Sequence, residues 1–177
     1  MVPGKHVRPT ADRVKESVFA VIGPFFDGGA VLDLFAGTGA LGLEALSRGA
    51  ERALFVDQSR QSLDTVRANA EATRLADRIK LWRKDARAAL RSLRVRGERF
   101  RFIFLDPPYH EELLMPVLTL IGEGGLLDAD GVVVAEHPTR LALPDEIGAL
   151  MRFRILEYGD TAVSLYGNLQ QDEGGSA

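Results

Sequence analysis

Five short apolar runs alternating with stretches of helical periodicity constrain this chain more than any other feature. Ala30 to Phe35, Arg52 to Val56, Ile79 to Trp82, Phe100 to Leu105 and Val132 to Ala135 read as strands. Leu41 to Ser47, Ser59 to Leu75, Ala86 to Leu93 and Glu111 to Ile121 read as the helices between them. A further helix runs from Thr10, its expected N-cap, to Ile22, where Gly23-Pro24 stops it. Such alternation calls for a parallel sheet covered on both faces, because parallel neighbours need long crossovers and helices supply them. The end breaks the pattern: Arg152 to Tyr158, a Gly159-Asp160 turn and Thr161 to Tyr166 read as an antiparallel hairpin. The expectation is an α/β domain over residues 1–169 with seven strands, mostly parallel, and a polar, disordered tail over 170–177.

Composition removes several function classes. The 177 residues include no cysteine, so disulfides, thiol nucleophiles and thiolate metal sites are excluded. His6, His110 and His137 are scattered, form no metal-ligand pattern and read as surface or loop residues. No apolar run approaches the roughly 20 residues of a membrane span, and the start lacks a signal-peptide layout. A cytoplasmic protein without metal or membrane attachment is expected.

The net charge of −3 is unevenly spread. Residues 71–101 carry eleven Lys/Arg and four Asp/Glu, whereas residues 102–177 carry three and thirteen. A basic segment in an acidic chain reads either as a polyanion footprint or as a solvated face. Arg87, Arg91 and Arg94 share one helical face and favour the solvated reading. Trp82, the only tryptophan, reads as packing.

The first strand leads into Asp33-Leu34-Phe35-Ala36-Gly37-Thr38-Gly39-Ala40-Leu41-Gly42. Gly37, Gly39 and Gly42 fit G-x-G-x-x-G, and Asp57 ends the next strand, in place for a ribose hydroxyl pair. This is a Rossmann-like cofactor loop, and a nicotinamide dehydrogenase is one reading of it. Two features favour S-adenosylmethionine. Asp33 lies inside an apolar strand, where a carboxylate is costly without a partner, and the amine of that cofactor is such a partner. No Lys or Arg follows the loop until Arg48, which leaves a pyrophosphate unsupported. Phe35 reads either as lining for the methionine arm or as plain core.

The fourth strand ends in Asp106-Pro107-Pro108-Tyr109. The two prolines remove two backbone donors and fix an extended turn. A carboxylate and a carbonyl there can accept the hydrogens of a flat amine while the tyrosine ring stacks on its face. A rigid structural turn is the plainer alternative.

Together these motifs resemble the class I amino-methyltransferases and, more narrowly, the RsmD-type family that methylates guanine N2 in small-subunit ribosomal RNA. The resemblance is carried by Arg8-Pro9-Thr10-Ala11-Asp12-Arg13-Val14-Lys15-Glu16, by Asp33 to Ala45, by Asp106-Pro107-Pro108-Tyr109 and by Tyr158-Gly159-Asp160-Thr161. Family members usually open with a basic, RNA-contacting hairpin, whereas Met1 to Val7 precede the Arg-Pro-Thr segment here. The resemblance implies the Rossmann-like class I methyltransferase fold, with S-adenosylmethionine held by Asp33, Phe35, Gly37, Gly39, Asp57, Gln58, Asp85, Ala86 and Asp106. It implies amine binding by Asp106 and the Pro107 carbonyl, base stacking on Tyr109, and a substrate cleft bordered by Arg8, Thr10, Arg13 and Pro108. For Asp85 an N-cap role is an equal alternative, as capping is for Thr10. The implied partner is ribosomal RNA or a small-subunit particle, and the protein is expected to be a monomer. DNA adenine N6 or protein glutamine methylation, or non-catalytic RNA binding, are the competing functions.

Overall fold

The computed structural model describes residues 9–108 and 110–169, without the side chains of residues 9–11, 110 and 111. Arg8, Tyr109, the segment Met1 to Val7 and the tail 170–177 therefore lie outside the described residues. The elements run α1 (Pro9–Ile22), β1 (Ala30–Leu34), α2 (Ala40–Ser47), β2 (Arg52–Asp57) and α3 (Arg60–Ala72). There follow a 3-10 turn (Ala76–Arg78), β3 (Ile79–Arg83), α4 (Ala86–Arg96), β4 (Phe100–Leu105) and α5 (His110–Gly122). The chain ends with β5 (Leu127–Pro138), β6 (Glu146–Ile147), β7 (Leu150–Tyr158) and β8 (Thr161–Asn168).

All eight strands join one sheet in the order β3-β2-β1-β4-β5-β8-β7-β6. The pairs among β1 to β5 are parallel, and those of β6, β7 and β8 are antiparallel. Seven of these strands match the sequence expectation; the eighth, β6, is a two-residue piece paired to the start of β7. Helix α1 begins at Pro9, where the fixed φ of proline suits the first helical position, so Thr10 lies in the first turn rather than capping it.

Alternate residues of each buried strand feed two cores, as the period of a strand requires. Leu32, Leu34, Val56, Ile103 and Leu105 pack under α4 and α5 with Leu90, Leu93, Leu114 and Leu118. Val31, Phe55, Phe102 and Phe104 pack under α1, α2 and α3 with Val18, Phe19, Leu46 and Val66. Central β1 is buried along its whole length, including Asp33. Among the described residues no helix is long and apolar enough to cross a membrane, and no acidic, His or Cys cluster suits a metal.

The register corrects one sequence expectation. His137 is 2 % exposed, not a surface residue. Strand β5 extends beyond its apolar centre to Pro138, and His137 pairs with Ala162 of β8. Its Nε2 lies 2.8 Å from Ser164 Oγ and its Nδ1 2.9 Å from the Pro138 carbonyl. Ser164 Oγ also accepts from Arg152, whose guanidinium donates twice to Asp145. The carbonyl can only accept and the guanidinium can only donate. Nδ1–H donating to the Pro138 carbonyl, with Nε2 accepting from the Ser164 hydroxyl, satisfies these contacts.

Candidate active site

The strand order reverses between β1 and β4, the point at which open α/β sheets leave a crevice beyond the carboxyl ends of their strands. A cavity of about 690 Å³ opens there. The register places Leu34 beside Leu105, so the loop after β1 and the Asp106-Pro107-Pro108 turn leave the sheet as neighbours.

The loop after β1 is built on unusual backbone. Phe35 has φ 59°, a left-handed conformation rare for a bulky side chain, followed by Gly37 at 59° and Gly39 at 82°. Local hydrogen bonds hold the turn: Ala36 N–H donates to Val56 O and Gly39 N–H to Ala36 O. Two more loop amides meet carboxylates, Gly37 N–H donating to Asp57 Oδ2 and Gly42 N–H to Asp33 Oδ2, each at 3.0 Å. Gly42, inside α2, is required by packing, because a Cβ there would come within 2.4 Å of the Phe55 ring and 3.0 Å of Asp33 Oδ2.

Asp33 is 4 % exposed. Burial pushes its carboxyl well above the usual carboxylate range; the Gly42 N–H opposes this, and the nearby Asp106 and Asp57 add to it. The second Asp57 oxygen accepts from Ser59 N–H at 2.9 Å. Asp85 Oδ2 caps α4 by accepting from Arg87 and Ala88 N–H, while Oδ1 accepts from Gln58 Nε2 at 3.1 Å. The capping alternative for Asp85 is therefore realised on one oxygen, with the other at the cavity.

Asp33, Phe35, Gly37, Asp57, Gln58, Asp85, Ala86, Asp106, Pro107 and Pro108 all line this one cavity. Phe35 serves both its readings, since it also packs against the α4–α5 core. Gly39 is at the α2 N-terminus, next to the lining residues Thr38 and Ala40. Arg13 is exposed on α1 and outside the lining, and the expectations for Arg8, Tyr109 and the Thr10 side chain fall outside the described residues. Sequence reasoning missed Thr38, Leu41, Ser62, Lys84 and Leu113. Lys84 was hidden in the basic run, and Leu113 reads from sequence only as one apolar position of α5.

Among the described residues, four aspartates and a single lysine thus face one cavity. A pyrophosphate would enter beside carboxylates that already hold two of the loop amides, and the repulsion disfavours it. A ligand with an ammonium and a sulfonium relieves the same crowding, and its adenosine finds acceptors at Asp57 and Asp85. The residues present fit S-adenosylmethionine. Fold and site together define a class I methyltransferase dependent on that cofactor.

Comparison with known proteins narrows the class. The family model described as "Conserved hypothetical protein 95" matches residues 1–167. The chain is 48 % identical over 165 residues to "Putative rRNA methyltransferase YlbH" of Bacillus subtilis, covering 93 % of this chain and 90 % of that one. It is 32 % identical over 167 residues to the Ribosomal RNA small subunit methyltransferase D of Escherichia coli, covering 94 % and 82 %. The solved structure "Putative methyltransferase yhhF" from Escherichia coli superposes with a TM-score of 0.79 at 29 % identity, covering 93 % of this chain and 90 % of that one. The chain belongs to the Conserved hypothetical protein 95 family, the group of RsmD-type methyltransferases.

Proposed function

We propose that this protein methylates the exocyclic N2 amine of a guanine in small-subunit ribosomal RNA. The observation that carries the reading is Asp106-Pro107 at the carboxyl end of β4, beside the glycine loop and facing the same cavity. The relatives named as ribosomal RNA methyltransferases support the substrate class.

Bound S-adenosylmethionine supplies an electrophilic methyl on a sulfonium. Asp33 faces the ammonium of its methionine arm, with Phe35, Gly37 and Gly39 along that arm. Asp57 takes the ribose hydroxyls while continuing to hold Gly37. Asp85 Oδ1, which now accepts from Gln58, would take the adenine amine, with Ala86 beside it. A guanine amine is a poor nucleophile because its lone pair is delocalised into the base. The Asp106 carboxylate and Pro107 carbonyl would accept hydrogen bonds from its two N–H groups, turning the lone pair toward the methyl and stabilising the positive charge that grows on nitrogen. The methyl–sulfur bond breaks as the N–C bond forms, S-adenosylhomocysteine leaves, and one N–H proton is lost to solvent. Asp106 thereby also borders the cofactor's reacting end. Positioning of the two reactants supplies much of the remaining rate. Pro108 and Tyr109 bracket the base, which must be unpaired or extruded to enter. Arg8, Thr10 and Arg13 serve the RNA side of the cleft.

The test is transfer of labelled methyl from S-adenosylmethionine to unmodified small subunits and to naked ribosomal RNA, followed by nucleoside analysis. The expected product is N2-methylguanosine. Asp106→Ala is expected to lower the rate by roughly 10²–10³, the effect of removing one group that stabilises developing charge, while calorimetric cofactor affinity stays within about twofold. Label in another nucleoside, or in protein or DNA instead, overturns the reading.

A further inference from the structure

We propose that the exposed edge of the sheet at β3, with the adjoining end of α4, is the track on which RNA flanking the target nucleotide lies. The inference rests on the RNA reading above but concerns a surface outside the catalytic cavity. Lys80 and Trp82 share one face of the extended strand, and Lys84 follows two residues on. Trp82 packs half-buried against the α4–α5 core. Lys84 Nζ and the Arg96 guanidinium each lie 4.9 Å from its ring centroid, which fixes two cations in place. Lys80, Trp82 and Arg96 also line a second cavity, of about 220 Å³. Lys84 in turn lines the catalytic cavity, and the second cavity, although Asp77 and Glu98 also line it, carries Arg52, Arg78, Lys80 and Arg96, so cations extend from the site down the sheet edge.

Not every cation of this basic segment is available. Arg78 donates to the carbonyls of Leu46, Ala50 and Glu51. Arg94 donates to the carbonyls of Leu120 and Gly124 and pairs with Glu123, so the Arg87-Arg91-Arg94 face is broken by a structural role. Lys80, Lys84 and Arg96, by contrast, make no ion pair among the described residues. Two cations held over one aromatic ring, with Lys80 on the same strand face, repel each other, and a polyanion relieves that repulsion. The far side of the sheet is the opposite: residues 127–168, which run from β5 to β8, carry seven acidic and three basic side chains. The charge therefore favours a nucleic-acid backbone on the β3 side of the site over the other.

The experiment titrates the full chain, saturated with S-adenosylhomocysteine, with a transcript of small-subunit ribosomal RNA. Trp82 is the sole tryptophan and reports binding by its own fluorescence. Lys80→Glu with Arg96→Glu is expected to weaken RNA binding at least tenfold at low salt. The slope of log affinity against log salt should fall by about 1.4–1.8, at ~0.7–0.9 per phosphate contact. S-adenosylmethionine affinity should not change; Lys80→Gln with Arg96→Gln, a milder pair, should show the same trend if the charge reversals impair folding. Unchanged RNA affinity and slope in a variant that still binds the cofactor overturn the track. So does tighter binding of wild type to polyglutamate, the mark of an acidic protein partner. RNA binding that depends on Lys80 and Arg96, with no methyl transfer to RNA by wild type, upholds the track and defeats the functional reading instead.

Discussion

The chain gathers polar groups around a buried one in two places and treats them differently. Where β5, β7 and β8 meet, Asp145, Arg152, Ser164 and His137 are linked donor to acceptor. At the carboxyl ends of β1, β2 and β4, Asp33, Asp57 and Asp106 gather with like charge, and burial plus two neighbouring acids raise the Asp33 carboxyl. A satisfied network of this kind rigidifies a fold and asks nothing of a ligand. A crowd of carboxylates around a cavity is stable only at a cost that a cationic ligand removes. The contrast separates scaffold from site without reference to any relative.

Substitutions in the two regions should therefore fail in different assays. Of the substitutions that separate the two regions, the largest effect is expected from Asp57→Ala, which removes the acceptor for Gly37 N–H and the one proposed for the ribose. Calorimetry should show cofactor affinity reduced by roughly 1.5–3 kcal/mol, the range for charge-assisted hydrogen bonds; an unchanged affinity would take Asp57 out of the site. Next, Ser164→Ala strands His137 Nε2 and one Arg152 N–H in the buried set. Chemical denaturation should register a loss of about 1–2 kcal/mol, in the range for an unsatisfied buried polar group, with cofactor affinity intact. A loss of cofactor binding there would erase the distinction between the regions.

Asp33→Asn gives the smallest effect and the sharpest sign. A carboxyl whose folded pKa is raised binds its proton more tightly in the native state than in the unfolded chain. Its contribution therefore turns against the fold as pH rises from the ordinary carboxylate value to the raised one, and remains unfavourable above it. At neutral pH the variant should melt higher than wild type without cofactor, yet bind S-adenosylmethionine more weakly. Wild-type affinity should rise with pH across the same window, and the variant should lose that rise. A variant that melts lower and binds equally well would show Asp33 to be a structural residue only.

Much of this was legible before the structure. The apolar runs of β1 and β4 announced a buried parallel sheet, and Asp33 stood out because an acid inside such a run demands a partner. Asp57, Asp85 and Asp106 were placed by the ends of their strands. What escaped depends on distant partners or on pairing. His137 looked solvent-facing because Ser164 is 27 residues away. Arg94 looked like part of a solvated stripe because the groups it holds are 26 to 30 residues away. The first half of β5, with Asp128 and Asp130, has no apolar run to mark it, and the two residues of β6 are too few for any periodicity. Lys84 joins the site only because β3 lies next to β2 in the sheet.

The central claim is that the aspartate-lined cavity selects a cationic nucleoside. Calorimetric titration of the purified protein with S-adenosylmethionine and, separately, with NAD tests it most directly. The account predicts saturable binding of S-adenosylmethionine, weakened in Asp33→Asn, and no detectable binding of NAD. Binding of NAD as tight as that of S-adenosylmethionine, or binding of S-adenosylmethionine indifferent to Asp33, would contradict it.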